Sequence, residues 1–279
     1  MTNKNTTPLK FGSGNAKLST SIATFSLPAG HSCPFAKECL SKADRLTGKI
    51  IDGKHCQFRC FAASQEALLP SVRRARWHNF DVLRNESKLE KMTSLIQSAL
   101  PRGYAFVRVH VSGDFWSEKY FLSWLNVALN NPLTTFYGYT KATPFLSEFR
   151  KHLPGNFRFT ASRGGTCDKL ISKFRLRSAE VVFSVKEAEE KGLEIDHDDS
   201  HAIMGKKSFA LLLHGTQPAG SEAGKAWEKI KHTVGGYGVG SKRYDMAGQK
   251  QAVVYVSVKD GKIVFPQAKV NSPGKYQIA

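Results

Sequence analysis

The sequence is short of several things, and each shortage narrows the class of protein it encodes. Acidic residues are few: 23 Asp and Glu stand against 41 Lys and Arg in 279 residues, a formal net charge of +18. Such an excess favours a polyanionic partner, foremost nucleic acid. No apolar run approaches the ~18 residues of a membrane-spanning helix, so no membrane role is expected. Residues 1–10 are polar and lack a signal core, so a cytoplasmic location is the expectation. Cysteine is scarce as well. Five in a chain of this length make an odd set unsuited to a disulfide scaffold, and a reducing compartment is expected. What is present is ordinary for a globular protein: 41% hydrophobic and 11% aromatic residues, enough for a proper core.

Residues 1–20 are polar and rich in Gly, Ser and Asn, and predict a flexible N-terminal arm. A strand is expected over 20–27, ended by Pro28-Ala-Gly30. Helical spacing begins at Phe61, is interrupted by Pro70, and recurs over 88–100. Beyond residue 104 strands and helices alternate. Strands are expected at 105–111, 134–140, 157–161, 181–185 and 209–214, and helices at 117–129, 144–153, 166–174 and 220–231. With the first strand this makes about six parallel strands in βα units. The expected fold is therefore α/β, a partial or closed TIM-like (β/α) barrel over 21–234 with a Cys-rich loop inserted at 31–60. A flat doubly wound sheet is the alternative. Residues 235–279 read as a C-terminal β-hairpin appendage. It follows a glycine-rich loop at 235–240 and has Asp260-Gly261 as its turn.

Four of the five cysteines fall between Cys33 and Cys60. Five residues separate Cys33 from Cys39, three separate Cys56 from Cys60, and sixteen link the pairs. Sulfurs so grouped suit zinc or an iron–sulfur cluster, although the spacing is not that of a zinc ribbon. Buried structural cysteines are the alternative. Cys167 stands apart and reads as structural. The predicted second strand ends in His110-Val-Ser-Gly113-Asp114-Phe115, where Gly113 permits a sharp turn. Asp114 then serves as acid, base, nucleophile or ligand, or else as a turn residue. Lys141, Ser162-Arg163 and His214 end other predicted strands. On a barrel these ends share one rim with the cysteine loop, the face where such folds assemble their sites. Asp114, His110 and Lys141 are the candidate catalytic residues.

Positive charge is concentrated in two places. Between Lys141 and Arg177 nine basic residues face two acidic ones, with Arg163, Lys169, Lys173, Arg175 and Arg177 dominant. Arg73-Arg74-Ala-Arg76-Trp77 sets an aromatic ring beside three arginines, suited to phosphates and base stacking. Glu194-Ile-Asp-His-Asp-Asp-Ser-His201 is either a cation-binding or histidine-orienting segment or a solvated loop.

Together Ser26-Leu-Pro-Ala-Gly30, Cys33-Pro-Phe-Ala-Lys-Glu-Cys39, Phe58-Arg-Cys60-Phe-Ala-Ala63, Val111-Ser-Gly-Asp-Phe115 and Tyr139-Thr-Lys141 resemble the phage and plasmid "gene product 88" family over roughly residues 10–220. In that family's pattern Cys56 has no place, so the resemblance implies a metal or cluster held by Cys33, Cys39 and Cys60. More distantly, the arrangement is similar to radical S-adenosylmethionine enzymes. These carry three cysteines after the first strand of a partial barrel and a Gly-acidic motif after the second. That similarity implies an iron–sulfur cluster and S-adenosylmethionine. The cysteine spacings of five and twenty depart from the compact motif of those enzymes.

The leading functional expectation is a nucleic-acid-modifying enzyme, acting on DNA, with a Cys-ligated Fe–S cluster or zinc and Asp114 in a basic pocket. A second is a base-exchange enzyme similar to deazaguanine transglycosylases, with Asp114 as nucleophile. A third is a non-enzymatic, zinc-stabilised nucleic-acid-binding protein using Cys56 as a fourth ligand.

Overall fold

Apolar side chains at alternate positions draw seven short strands into one sheet. The computed structural model describes residues 8–15 and 18–231, with four short strands between residues 257 and 277. The chain divides into two compact units, Met1–Tyr244 and Asp245–Ala279. In the first, β1 (Phe11–Ser13) and β2 (Ile22–Ser26) pair antiparallel. An insertion carrying the hairpin β3 (Ser41–Ala43) and β4 (Ile50–Asp52) follows, then helices α1 (Phe61–Leu68), α2 (Pro70–Arg84) and α3 (Leu89–Ala99). Strand and helix then alternate through β5 (Phe106–Ser112), α4 (Glu118–Asn130), β6 (Thr135–Thr140), α5 (Thr143–Phe149), β7 (Phe157–Ser162) and α6 (Lys169–Lys173). The unit continues with β8 (Ser178–Val182), α7 (Val185–Glu190), α8 (Ser200–Met204), β9 (Phe209–Leu212) and α9 (Glu222–Ile230).

The sheet order is β1-β2-β5-β6-β7-β8-β9, and every neighbouring pair except β1–β2 is parallel. Six parallel strands in sequence order match the expectation. Closure does not. The sheet has two edges, and β1 occupies the flank of β2 that a closing strand would need, so a closed barrel is set aside. Over residues 8–15 the same strand replaces the expected loose arm, whose residues 1–7 lie outside the described residues. Leu9 is buried, and Asn79 of α2 bonds both the N–H and the C=O of Lys10 (2.7 and 2.8 Å), which ties the segment down.

Local signals explain the helices. Pro70 opens α2 at a position where its missing N–H costs nothing, separating it from α1. Ser117 caps α4 through the Tyr120 N–H at 3.3 Å. On one face of the sheet Phe25, Val107, Val109, Phe136 and Phe159 pack with Phe80, Ile96, Phe121 and Trp124 from the helices. On the other, Ile22, Tyr137, Ala179 and Phe209 pack with Ala202 of α8. Among the described residues no helix is long and apolar enough to cross a membrane.

In the second unit β10 (Ser257–Lys259) pairs antiparallel with β11 (Lys262–Val264), and β12 (Lys269–Val270) with β13 (Tyr276–Gln277). Lys259 faces Lys262, so Asp260 and Gly261 are the two residues that join them. The glycine-rich stretch 235–240 and the expected strand residues 252–256 lie outside the described residues.

Candidate thiol–carboxylate site

Parallel strands in sequence order bring their C-terminal ends to one edge, and the Cys-rich insertion folds back across that edge. Three contacts fix it there. Gly113, at φ +85°, follows β5 so closely beneath the insertion that a Cβ would lie 2.6 Å from Ser32 Oγ and from Leu27 Cβ. Ala36 bridges Gly165 after β7, where the Lys37 and Glu38 N–H groups donate to the Gly164 carbonyl (3.2 and 3.0 Å). Phe61, next to Cys60, packs on Gly215 after β9 and meets the His214 ring edge-on at 4.6 Å. The ends of β2, β5, β7 and β9 are thereby joined to the segment bearing the cysteines.

Asp114 is buried at the centre of this edge. Oδ1 accepts from Thr140 Oγ1 (2.6 Å) and the Phe115 N–H (2.7 Å), and Oδ2 from the Lys141 N–H (2.7 Å). Burial outweighs these bonds and the Lys141 charge, raising its pKa to about 6. Lys141, also buried, turns its Nζ to Ser162 Oγ (2.9 Å) and the Arg163 carbonyl. All five cysteines are free thiols in half-buried residues. Burial, then the charges of Asp114, Cys60 and Cys39, push the Cys33 thiol up. Cys39 is raised by burial and Asp114 against the pull of Lys141, and Cys60 is pushed up to about 12 by burial and Cys39. Cys33 thus feels Asp114, Cys60 and Cys39, and Cys39 feels Asp114. Cys56, raised by burial and also by Cys39, donates to the Phe58 carbonyl at 3.0 Å and lies 3.4 Å from Ser41 Oγ, the atom that accepts from the Cys60 N–H.

Does this set fit a metal or cluster? By position alone, no group of three His, Cys, Asp or Glu side chains among the described residues is arranged to hold a metal ion. By donor chemistry it does. Burial first, and neighbouring negative charge second, raise the thiols of Cys33, Cys39 and Cys60, and a cation bound there would offset both by favouring thiolates.

Other expected site residues lie elsewhere. His110 is held at φ +64° in a bulge between β2 and β5, whose register moves from Phe25↔Val109 to Ser26↔Ser112. The bulge turns the ring into the helix layer, with Nε2 2.9 Å from Tyr120 OH and Phe115 at 4.6 Å. Burial there lowers its pKa to about 3. Arg73 and Arg76 are buried and committed internally: Arg73 to the Arg45, Leu46 and Glu66 carbonyls, Arg76 to Ala62 O and the Glu66 carboxylate. Trp77 is buried, with its ring in contact with His31 (4.8 Å) and the Arg45 guanidinium (4.6 Å), so little of it is left for a base to stack on. A cavity of ≈ 400 Å³ beside it is lined by Arg45, Arg74 and His78 among others. Arg74, Lys169, Lys173 and Arg175 are exposed, and Arg163 is half-exposed with Glu180 at 3.9 Å. Arg177 is committed to backbone carbonyls.

The acidic segment is not a solvated loop. Asp196 and Asp199 are buried, Tyr139 OH reaches both at 3.3 Å, Arg108 pairs with Asp199, and His201 Nε2 meets Glu194 at 3.0 Å. It packs against the sheet face away from α4. A residue that sequence reasoning missed lies under the thiols. Glu66 is fully buried, and its Oε1 accepts from the Ala29 N–H (2.9 Å), Arg76 Nη1 (2.9 Å) and Ser112 Oγ (3.3 Å). It ties α1 and α2 to the chain entering the Cys33 loop and to the end of β5.

Among known proteins, the model of the family described as Gene product 88 matches residues 2–229 of the chain. The Gene 88 protein of Mycobacterium phage L5 is 27% identical over 94 residues, a stretch covering 31% of this chain and 39% of that protein. No solved structure matches.

Proposed function

We propose that this chain, which belongs to the Gene product 88 family, is an enzyme that modifies DNA at a centre formed by Cys33, Cys39 and Cys60 beside Asp114 and Lys141. What supports this reading is the folding of the Cys33–Cys39 segment across the strand end that bears Asp114, where Gly113 lies against Ser32 and Ala36 bridges Gly165. When bound, an iron–sulfur cluster would supply one-electron chemistry and zinc would supply Lewis-acid chemistry. Cys33, Cys39 and Cys60 are the residues that would hold either group.

The chain's own residues supply the rest. Asp114, with a pKa near neutrality, holds or accepts a proton at the edge of the sheet. Both of its oxygens already accept hydrogen bonds, which supports acid–base or charge-holding work over the nucleophilic role of a base-exchange enzyme. Lys141 sets a cation beside it. Exposed Lys169 and Lys173 on α6 and Arg175 after it give a polyanion a surface to meet. Asp168 anchors that helix's start to the Gly164 and Gly165 N–H groups of the same edge (2.8 and 2.9 Å). Membership of a phage family suits action on DNA in the host cytoplasm.

The test is metal and sulfide analysis with an absorption spectrum on anaerobically purified protein. Wild type is expected to carry a metal, lost in Cys33→Ala, Cys39→Ala or Cys60→Ala and kept in Cys56→Ala. Asp114→Asn is expected to keep DNA affinity and lose turnover. Metal-free wild type sinks the reading, and equal loss in Cys56→Ala points instead to a four-sulfur structural site.

A further inference from the structure

Two arginines on the sheet face opposite α4 converge on a single oxygen atom. Arg158 Nη2 donates to the Gly205 carbonyl at 3.1 Å, and Arg177 Nη1 donates to the same carbonyl at 2.5 Å. The remaining bonds of Arg177 go to the His201 carbonyl (3.0 Å), the Ala202 carbonyl (3.0 Å) and Thr160 Oγ1 (2.6 Å). Every hydrogen bond that the pair makes among the described residues therefore ends on a neutral oxygen. Arg158 Nε is buried and has no partner among those residues. The carboxylate felt by Arg177 is that of Asp196, which is engaged by Tyr139 OH (3.3 Å) and lies 3.4 Å from His201 Nδ1.

Two like charges sharing one neutral acceptor is a costly arrangement. Burial and the Arg158 charge both lower the pKa of Arg177, which reports the same conflict. The chain adds further cations at this spot, because exposed Lys206 and Lys207 follow Gly205 directly. Glu194 is the acidic group felt by Lys207. Planar guanidinium groups with free N–H donors match the oxygens of a phosphate better than a lone carbonyl does.

We propose that Arg158 and Arg177, flanked by Lys206 and Lys207, form a phosphate-binding site. Its ligand is a phosphate oxyanion that bonds the Arg158 donors not taken by the Gly205 carbonyl, while Arg177, whose Nη groups are already taken by carbonyls and Thr160, contributes its charge. The site is distinct from the thiol edge: Arg158 lies four residues before Ser162 in β7, about 13 Å along the strand at ~3.3 Å per residue. It does not rest on the reaction proposed above, and it stands if that reaction fails.

The experiment titrates full-length protein with inorganic phosphate by calorimetry, and with a fluorescein-labelled 12-nucleotide single-stranded DNA by anisotropy across a salt series. Arg158 makes a single hydrogen bond among the described residues, so Arg158→Gln is the informative variant. Phosphate affinity is expected to fall about tenfold in Arg158→Gln, the loss of one charge-assisted contact. If the phosphate belongs to a nucleic acid, the salt slope of DNA binding falls by about 1 in the same variant. If the source is free phosphate, the DNA slope is unchanged while phosphate affinity still drops. Should Arg158→Gln fail to fold, the double variant Lys206→Gln/Lys207→Gln, both exposed, gives the same comparison. Unchanged affinity for both probes in a folded variant overturns the proposal and leaves the arginines as clamps on the α8 segment.

Discussion

Replacing Glu66 with alanine is expected to destabilise the protein by about 3–5 kcal/mol, the range for removing one partner of a buried ion pair. Glu66 has no exposed surface and Arg76 very little, so neither charge is repaid by water. Without the carboxylate, the Arg76 guanidinium keeps Ala62 O and Gln65 Oε1 as acceptors and loses its counter-charge. The Ala29 N–H loses its acceptor at the same time. Equilibrium urea unfolding measures the loss. The control is the double variant Glu66→Met/Arg76→Met, in which no unpaired charge remains and most of the stability returns. A single-variant cost below about 1 kcal/mol, within the range of exposed pairs, would show that the pair is not held in the interior. Since Glu66 fixes the chain just before Cys33, the Glu66→Ala protein is also expected to lose any metal that the wild type carries.

Much of the fold can be read in the sequence because local chemistry and tertiary packing agree there. Pro70 through its ring and Ser117 through its side-chain cap act locally, without a packing partner, and each marks a boundary found in the structure. Apolar alternation marks β2 and apolar runs mark β5 and β9, whereas the strand expected at 181–185 lies three residues earlier, at Ser178–Val182, with Val185 opening α7. The edge strand β1 escapes such a reading. It is three residues long and owes its position to Asn79, which is 69 residues away from Lys10. Buried charge is equally hidden. Glu66 occupies one position in an Ala-rich helix, and nothing in its neighbours distinguishes it from a solvated glutamate. Arg73 and Arg76 look like phosphate ligands in a string of letters, whereas their acceptors are carbonyls brought in from the hairpin and α1. Trp77 is misleading in the same way, since His31 and Arg45 contact it only after the insertion folds back. Cys33, Cys39 and Asp114 are the opposite case. Asp114 follows β5, and Cys33 and Cys39 follow β2, so βα order sends them toward one edge, whereas Cys60 precedes α1 and reaches that edge only because the insertion folds back across it.

Lowering the pH from 7 to 4 is expected to destabilise the wild type more than a His110→Asn variant, and the difference follows from one buried ring. In the folded protein the His110 pKa is about 3, against an ordinary value of 6.5, because burial among Phe115 and Tyr120 disfavours the imidazolium. Between those two values the unfolded chain binds a proton that the folded chain refuses. Stability from this group is therefore complete above pH 6.5 and drains away as the pH falls, approaching ~1.4 kcal/mol per pH unit and ~5 kcal/mol by pH 3. Asparagine is the suitable replacement because it tolerates the positive φ that the bulge imposes and does not titrate. His110→Asn begins less stable at pH 7, having lost the ring packing and the Tyr120 contact. Its unfolding free energy should then fall by about 3 kcal/mol less than that of wild type between pH 6.5 and 4, the remaining carboxylates being common to both. Urea titrations at each pH give the two curves, and parallel curves would show that His110 is solvated. The measurement also decides the chemical role of the ring. A histidine exchanging protons with a substrate titrates near neutrality, whereas one that resists protonation to pH 3 holds the bulge against α4 and leaves proton traffic at the edge to Asp114.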